Sequence, residues 1–145
     1  MRDQTHRAYI AGFLDGDGSI YVRLKPNSTY RYGFQIAPYI VFFQSQKNQK
    51  HFEKLCTLVG DGRLRVRKDG ILEYVINKQD ALHKLLEAVK PFVILKREQV
   101  DLMLQILDTK KRVETQKDFN SLAALIERFR ELNYSKKRKQ RTLTP

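Results

Sequence analysis

Residues 5–18 predict a short helix with two unlike sides and an acidic end. At about 100° per residue, a helix separates the bulky apolar residues of this stretch from its small ones. The apolar side comprises Tyr9, Ile10, Phe13 and Leu14. The small side comprises Ala8, Ala11, Gly12, Asp15 and Gly16. The apolar side predicts packing against a core, and the small side predicts close approach of another backbone.

The glycines and aspartates of this stretch each need a physical reason. Glycine costs about 1 kcal/mol relative to alanine inside a helix, yet Gly12 and Gly16 lie one turn apart. Small residues at this spacing let two helices approach closely, and the stretch is too short to span a membrane. Asp15 and Asp17 follow at the negative end of the helix dipole. Something positive should offset them, and a hard divalent cation is the natural candidate.

The ten residues 9–18 resemble the LAGLIDADG motif of homing endonucleases. Their order is Tyr-Ile-Ala-Gly-Phe-Leu-Asp-Gly-Asp-Gly, and Ser19 and Ile20 follow as they often do in that family. The motif fixes ten small, apolar and acidic positions, so it is far more specific than a glycine pattern. The alternative is an ordinary amphipathic helix that ends in a Gly/Asp turn.

Composition favours one globular domain with a polyanionic partner. The chain has 145 residues, 41% of them hydrophobic, and a net charge of +12. We expect a domain over residues 1–132 and a basic tail over residues 133–145. Nucleic acid is the first candidate partner, although a basic surface kept for solubility would give the same charge.

Cysteine usage and hydropathy exclude several other classes of protein. Cys56 is the single cysteine, which excludes a disulfide framework and a cysteine zinc site. No apolar run forms a signal peptide or reaches transmembrane length. We therefore expect an intracellular protein without a membrane or small-molecule partner, and the family resemblance implies a mitochondrion or chloroplast.

After Gly18 the apolar period changes from helical to two, which predicts a strand pair. Ile20, Val22 and Leu24 face one side, and a second extended stretch runs from about residue 30 to residue 44, broken or bulged at Pro38. Such a ribbon can enter the major groove of DNA. Candidates for base or phosphate contacts are Arg23, Lys25, Asn27, Tyr30, Arg31 and Gln35. Each of them could also be a solvated surface residue.

A helix over residues 48–59, capped by Asn48, precedes a second predicted hairpin with its turn at residues 68–70. Arg63, Arg65 and Arg67 alternate along its first strand, and Glu73 on the return strand could pair with one of them. Three arginines on one face repel one another unless a polyanion lies across them, which makes all four residues candidate DNA contacts. The alternative is that the arginines extend into water.

Three more helices are expected, to about residues 90, 111 and 132, the first of them capped by Asn77 or Asp80. The order of elements is then α+β, with helices on one face of a sheet. It matches the αββαββα core of the LAGLIDADG family, which implies an antiparallel, saddle-shaped sheet. A dense basic run follows, which either orders along phosphates or stays solvated. Its candidate DNA contacts are Ser135, Lys136, Lys137, Arg138 and Lys139.

The resemblance implies a site-specific, intron-encoded endonuclease that hydrolyses double-stranded DNA. Because the chain carries one motif, the family implies a homodimer on a long, near-palindromic target. It implies two or more Mg²⁺ ions shared across the dimer, held by Asp17 and Gly16. The expected dimer interface comprises Ala8, Ala11, Gly12 and Asp15.

Two further catalytic candidates come from weaker matches to the family. Gln46, with Gln44 as the alternative, matches a glutamine that orders water in the active site. Lys96 matches a lysine near the scissile phosphate, and Lys50 could join that basic pocket as a DNA contact. The alternative function is an RNA maturase of the same fold that assists intron splicing. Both functions need a basic sheet, but only cleavage needs Asp17 with its metal.

Overall fold

The change of period at Gly18 marks the point where the first helix ends and the first strand begins. The computed structural model describes residues 3–133, and a short 3-10 helix, Gln46–Asn48, precedes the second α-helix. The helices are α1 (Gln4–Asp17), α2 (Gln49–Val59), α3 (Gln79–Val89), α4 (Arg97–Lys111) and α5 (Gln116–Leu132). The strands are β1 (Gly18–Pro26), β2 (Phe34–Ser45), β3 (Arg63–Val66) and β4 (Ile71–Ile76).

The four strands form one antiparallel sheet in the order β1-β2-β4-β3. Ile20 lies opposite Ile40, which in turn lies opposite Ile76, so buried residues line up across three strands. All five helices contact β1 or β2, and the buried strand positions alternate with open ones. The predicted α+β architecture, with helices on one face and the αββαββα order, is confirmed.

The predicted break at Pro38 is wrong, because β2 is one continuous strand. Pro38 lies opposite Val22 within an unbroken ladder to β1, whereas the ladder to β4 begins only at Ile40. At Pro38 the strand therefore has a partner on one side alone. A proline without an N–H fits such a position.

Helix α1 is rotated relative to the predicted projection. Tyr9 was expected in the core, but 59% of its surface is exposed. Ala11 was expected at the dimer interface, but it is fully buried beside Ile10 and Leu14 in the core of its own chain. A small residue there lets the helix pack closely on the sheet. The small residues that α1 exposes are instead Ala8, Gly12 and Gly16.

The predicted helix caps are only partly right. Asn48 precedes α2 but makes no capping hydrogen bond, and the Ser45 hydroxyl instead accepts from the Lys47 N–H at 3.3 Å. Lys78, rather than Asn77 or Asp80, precedes α3. The start of α5 is a reciprocal capping box between Thr115 and Asp118.

The end of α1 is joined to the start of α4 through the Asp15 carboxylate. Its Oδ2 accepts from the backbone N–H groups of Ile94 at 2.7 Å and Leu95 at 3.1 Å, and its Oδ1 accepts from that of Lys96 at 3.1 Å. The Lys96 ammonium donates to the Asp15 carbonyl at 2.9 Å. A carboxylate beside the amides that precede a helix is stabilised by the helix dipole. One side chain therefore connects segments about 80 positions apart.

Replacing this carboxylate tests how firmly the junction is held. Asp15→Ala removes the acceptor of three amides, and we expect the free energy of unfolding to fall by about 2 kcal/mol. Hydrogen exchange at the amides of residues 94–96 should accelerate more than exchange elsewhere. Asp69→Ala is the matched control, because Asp69 accepts from one backbone N–H, that of Ile71, and otherwise pairs only with the Arg67 guanidinium in an exposed turn. Equal losses of stability with unchanged exchange at residues 94–96 would contradict this role of Asp15.

Candidate nucleic-acid interface

The open face of the sheet carries a concave depression of about 370 Å³. Its basic residues come from the two edge strands: Arg23 and Lys25 from β1, and Arg63 and Arg65 from β3. Between them lies a floor of aromatic and apolar residues from β2 and β4. The floor comprises Ala37, Pro38, Tyr39, Val41, Phe43 and Val75. Two basic edges around an apolar floor can accept a polyanion along the sheet.

The arginines of the second hairpin are partly neutralised within the chain. Arg65 donates through Nε at 3.0 Å and through Nη2 at 2.8 Å to one carboxylate oxygen of Glu73, its cross-strand partner. The expected pairing of Glu73 with an arginine is therefore confirmed. Arg67 pairs with Asp69 at 2.7 Å. Because two of the three charges have partners, and Arg67 lies past the end of β3 rather than on the strand as predicted, the repulsion along this strand is weaker than its sequence indicates.

The tip of the first hairpin holds the remaining ribbon candidates. Asn27 uses its side-chain oxygen within the loop, where it accepts from the N–H and the hydroxyl of Thr29 at 3.0 and 2.6 Å. Its predicted DNA contact is therefore limited to the amide nitrogen. Tyr30, Arg31 and Gln35 line a second depression of about 290 Å³, separate from the concave one. The Arg31 guanidinium lies 5.3 Å from the centre of the Tyr32 ring.

Two of the catalytic candidates lie at the end of α1. Asp17 is the last residue of α1 and is exposed, as is Gly16. The bond from the Lys96 ammonium to the Asp15 carbonyl brings that lysine to the same helix end. A carboxylate and an ammonium from distant parts of the sequence thus share one small region. A carboxylate can hold a cation, and an ammonium can hold an anion such as phosphate.

The two glutamine candidates lie in different places. Gly18 is paired with Phe42, so Gln44 lies just past that pair, on the part of β2 that runs beside the end of α1. Its side-chain oxygen accepts the Ser45 N–H at 2.9 Å. Gln46 is exposed and donates its backbone N–H to the carbonyl of Gly70 at 2.8 Å, in the turn between β3 and β4. Gln44 therefore belongs to β2, whereas Gln46 belongs to the 3-10 helix that follows the strand. Lys50 is exposed on α2.

No three side chains of His, Cys, Asp or Glu gather as a metal site within residues 3–133. The donors at the end of α1 are oxygens, namely the Asp17 carboxylate and backbone carbonyls, which suit Mg²⁺ in kind. One copy supplies too few of them to enclose an ion. None of the helices in this same range is long and apolar enough to cross a membrane. The tail candidates Ser135 to Lys139 lie outside the described residues.

Several residues of the concave face were not predicted as contacts. They are Ser19, Tyr39, Phe43, Val75 and Asn77. Strand alternation would have found Ser19, Tyr39, Phe43 and Val75, because each occupies an open-face position once the strands are in register, and Asn77 continues the alternation one residue past the end of β4. The three amides that donate to Asp15 had no comparable sequence signal, because they are distant in the chain.

Comparisons with known proteins agree with this geometry. The LAGLIDADG endonuclease family model matches residues 10–106. DNA endonuclease I-CreI of Chlamydomonas reinhardtii is 34% identical over 134 residues, which cover 90% of this chain and 80% of that protein. DNA endonuclease I-CvuI of Chlorella vulgaris is 32% identical over 118 residues, which cover 81% of this chain and 71% of that protein.

The fold matches that of one of these relatives in its DNA complex. A crystal structure of homing endonuclease I-CvuI in complex with the I-CreI target has a TM-score of 0.85 to this chain, at 29% identity. The match covers 94% of this chain and 87% of that one. Because the family model matches well over half of the chain and two curated relatives exceed 30% identity, this chain belongs to the LAGLIDADG endonuclease family.

Proposed function

We propose that this protein is a site-specific homing endonuclease that cuts double-stranded DNA as a homodimer. The observation that carries the proposal is the concave basic face of the sheet together with Asp17 and Lys96 at the adjoining end of α1. The relatives are named as DNA endonucleases, and I-CvuI was crystallised on a DNA target. No observation favours the maturase alternative, and an organellar location stays a prediction.

The open face of the sheet recognises the DNA target. Side chains on an antiparallel ribbon can read base edges in the major groove, and arginine can contact guanine through two hydrogen bonds. Arg23, Lys25 and Arg63 lie at the edges of the depression, where phosphates or base edges can reach them. Glu73 holds the Arg65 guanidinium in one orientation before DNA binds, which lowers the entropy cost of using it. A net charge of +12 supports binding that weakens steeply with salt.

The homodimer is supported by the glycines of α1. A Cβ atom added at Gly12 or Gly16 would meet nothing within 4 Å in the chain itself. The isolated fold therefore does not need glycine at either position, although both glycines weaken the helix. A second backbone packed against this face would need them. With Ala8 they form an exposed stripe of small residues, and we assign α1 of a second copy to it.

The metal site is proposed at the shared end of the two α1 helices. Asp17 and the Gly16 carbonyl of each copy would hold Mg²⁺, because hard oxygen donors suit this ion. When bound, the ion supplies charge neutralisation at the phosphate and lowers the pKa of an attacking water. Lys96, oriented by its bond to the Asp15 carbonyl, stabilises negative charge on the scissile phosphate. Gln44 or Gln46 positions water.

Replacing Asp17 tests the enzyme directly. Asp17→Asn keeps the size of the side chain but removes its charge, so cleavage with Mg²⁺ should fall about 100- to 1,000-fold. Binding to a duplex selected from a randomised pool should change little, because the sheet is intact. Asp101→Asn, an exposed acid on α4, is the matched control and should cut normally. An Asp17→Asn variant that still cuts, or a wild type that binds only intron RNA, would contradict the proposal.

The glutamine role is tested by a pair of substitutions. Gln44 lies in β2 two positions past Phe42, the partner of Gly18, so on this assignment Gln44→Ala should lower the rate constant of cleavage about tenfold or more with little change in DNA affinity. Gln46→Ala should cut at nearly the wild-type rate. The measurement is single-turnover cleavage of the selected duplex. The opposite ranking of the two variants would assign the role to Gln46.

Gly12→Ala separates stability from association. Alanine favours the helix by up to about 1 kcal/mol, so the isolated chain should be equally or more stable. The added methyl crowds the second helix, and the dimer should dissociate about tenfold more readily. Sedimentation at several concentrations measures the dimer, and denaturation in urea measures the monomer. Ser121→Ala, at an exposed position of α5, is the control. An unchanged dimer would show that α1 is not the interface.

A further inference from the structure

Ile94 and Leu95 are unusually exposed for large apolar side chains. Ile94 exposes 80% of its surface and Leu95 exposes 77%, the highest values for large apolar residues in the part of the chain that the structure describes. The two residues are adjacent, in the turn that precedes α4. Single exposed apolar residues are common on protein surfaces, but a contiguous apolar projection indicates a contact surface.

The turn that carries these residues is firmly held. Its backbone N–H groups donate to Asp15, and the preceding Val93 is 1% exposed in the core. The Arg97 guanidinium also donates to the Val93 carbonyl at 3.0 Å. Ile94 and Leu95 therefore project from an ordered platform. A surface that is ordered before binding loses less entropy when it associates.

The hydrogen bonds also locate the turn next to the exposed stripe of α1. Asp15 lies on α1 between Gly12 and Gly16 in sequence, and its carboxylate touches the amides of Ile94 and Leu95. The apolar turn is therefore continuous with the stripe of small residues. The basic residues of the DNA face line a different surface, on the open side of the sheet. A partner that packs on α1 would reach the turn without leaving this face.

We propose that Ile94 and Leu95 form a second, apolar part of the interface between two copies of this chain, continuous with the α1 contact. This inference rests on the proposed function, which assigns a second copy to α1. The small residues of α1 bring the two backbones close but bury little apolar area, whereas two large side chains bury much more. The same turn carries Lys96, so contact with the second copy also fixes the position of the lysine proposed to act on the phosphate.

The first experiment measures protection of a thiol in the turn. The Leu95→Cys variant has one other thiol, that of Cys56. This thiol is buried, and burial raises its pKa to about 11, so it reacts slowly with maleimide. Val66→Cys is the matched control, because Val66 lies on β3 and exposes 50% of its surface. At concentrations where sedimentation shows a dimer, we expect position 95 to react at least about tenfold more slowly than position 66. Dilution should remove the difference.

The second experiment weakens the contact without a new thiol. Ile94→Ser combined with Leu95→Ser should raise the dissociation constant of the dimer about 100-fold. The free energy of unfolding of the monomer should not change, because both side chains are exposed in one copy. Val66→Ser should leave the dimer intact.

The outcomes separate this inference from the proposed function. If the wild type is a dimer that cuts DNA, yet position 95 reacts as fast as position 66 in the dimer, the inference is wrong and the endonuclease stands. A double serine variant that dimerises as tightly as wild type would overturn it in the same way. A wild type that is monomeric at all concentrations would overturn both the inference and the proposed homodimer. Slow labelling together with a weakened double variant supports the inference.

Discussion

The hydrogen bonds from three consecutive amides to the Asp15 carboxylate are the interaction on which the rest of the candidate site depends. They join the end of α1 to the residues before α4, and they orient Ile94, Leu95 and Lys96 at once. A carboxylate at the carboxyl end of a helix is disfavoured, but here it also lies at the amino end of another helix, which offsets the cost. The Lys96 ammonium adds a second positive group at the same place.

This interaction changes the interpretation of the acidic end of α1. The helix dipole alone suggests one cation as the common partner of Asp15 and Asp17, whereas the family resemblance assigns the metal to Asp17 and Gly16. The structure gives Asp15 its own partners within the chain, so the carboxylate that remains for a metal is Asp17. The two aspartates of one motif therefore have separate tasks. Asp15 joins the end of α1 to the start of α4, and Asp17 extends from the end of α1 into the proposed site.

The order of the elements could be predicted from the sequence because apolar period is a local property. The turn at Gly70, with its positive φ, and the alternation of Arg63 and Arg65 are likewise local. The predictions that were wrong depended on contacts between residues that are distant in the chain. The projection of α1 could not show which arc faces the sheet, so Tyr9 and Ala11 were misplaced. Nothing near Asp15 in the sequence indicates partners about 80 positions away, and Pro38 looked disruptive only because its unpaired side was unknown.

On the proposed dimer, association and metal binding should be coupled through Asp17. Packing two α1 helices along Ala8, Gly12 and Gly16 brings together two exposed carboxylates, each at the negative end of a helix dipole. Their repulsion opposes the dimer, while the buried apolar turn favours it. A cation bound between them removes the repulsion, so by linkage it strengthens the dimer as the dimer strengthens its binding. The apolar contact must therefore supply the association free energy of the dimer before the ion binds. Ile94 and Leu95 make this contribution, which the small residues of α1 cannot make.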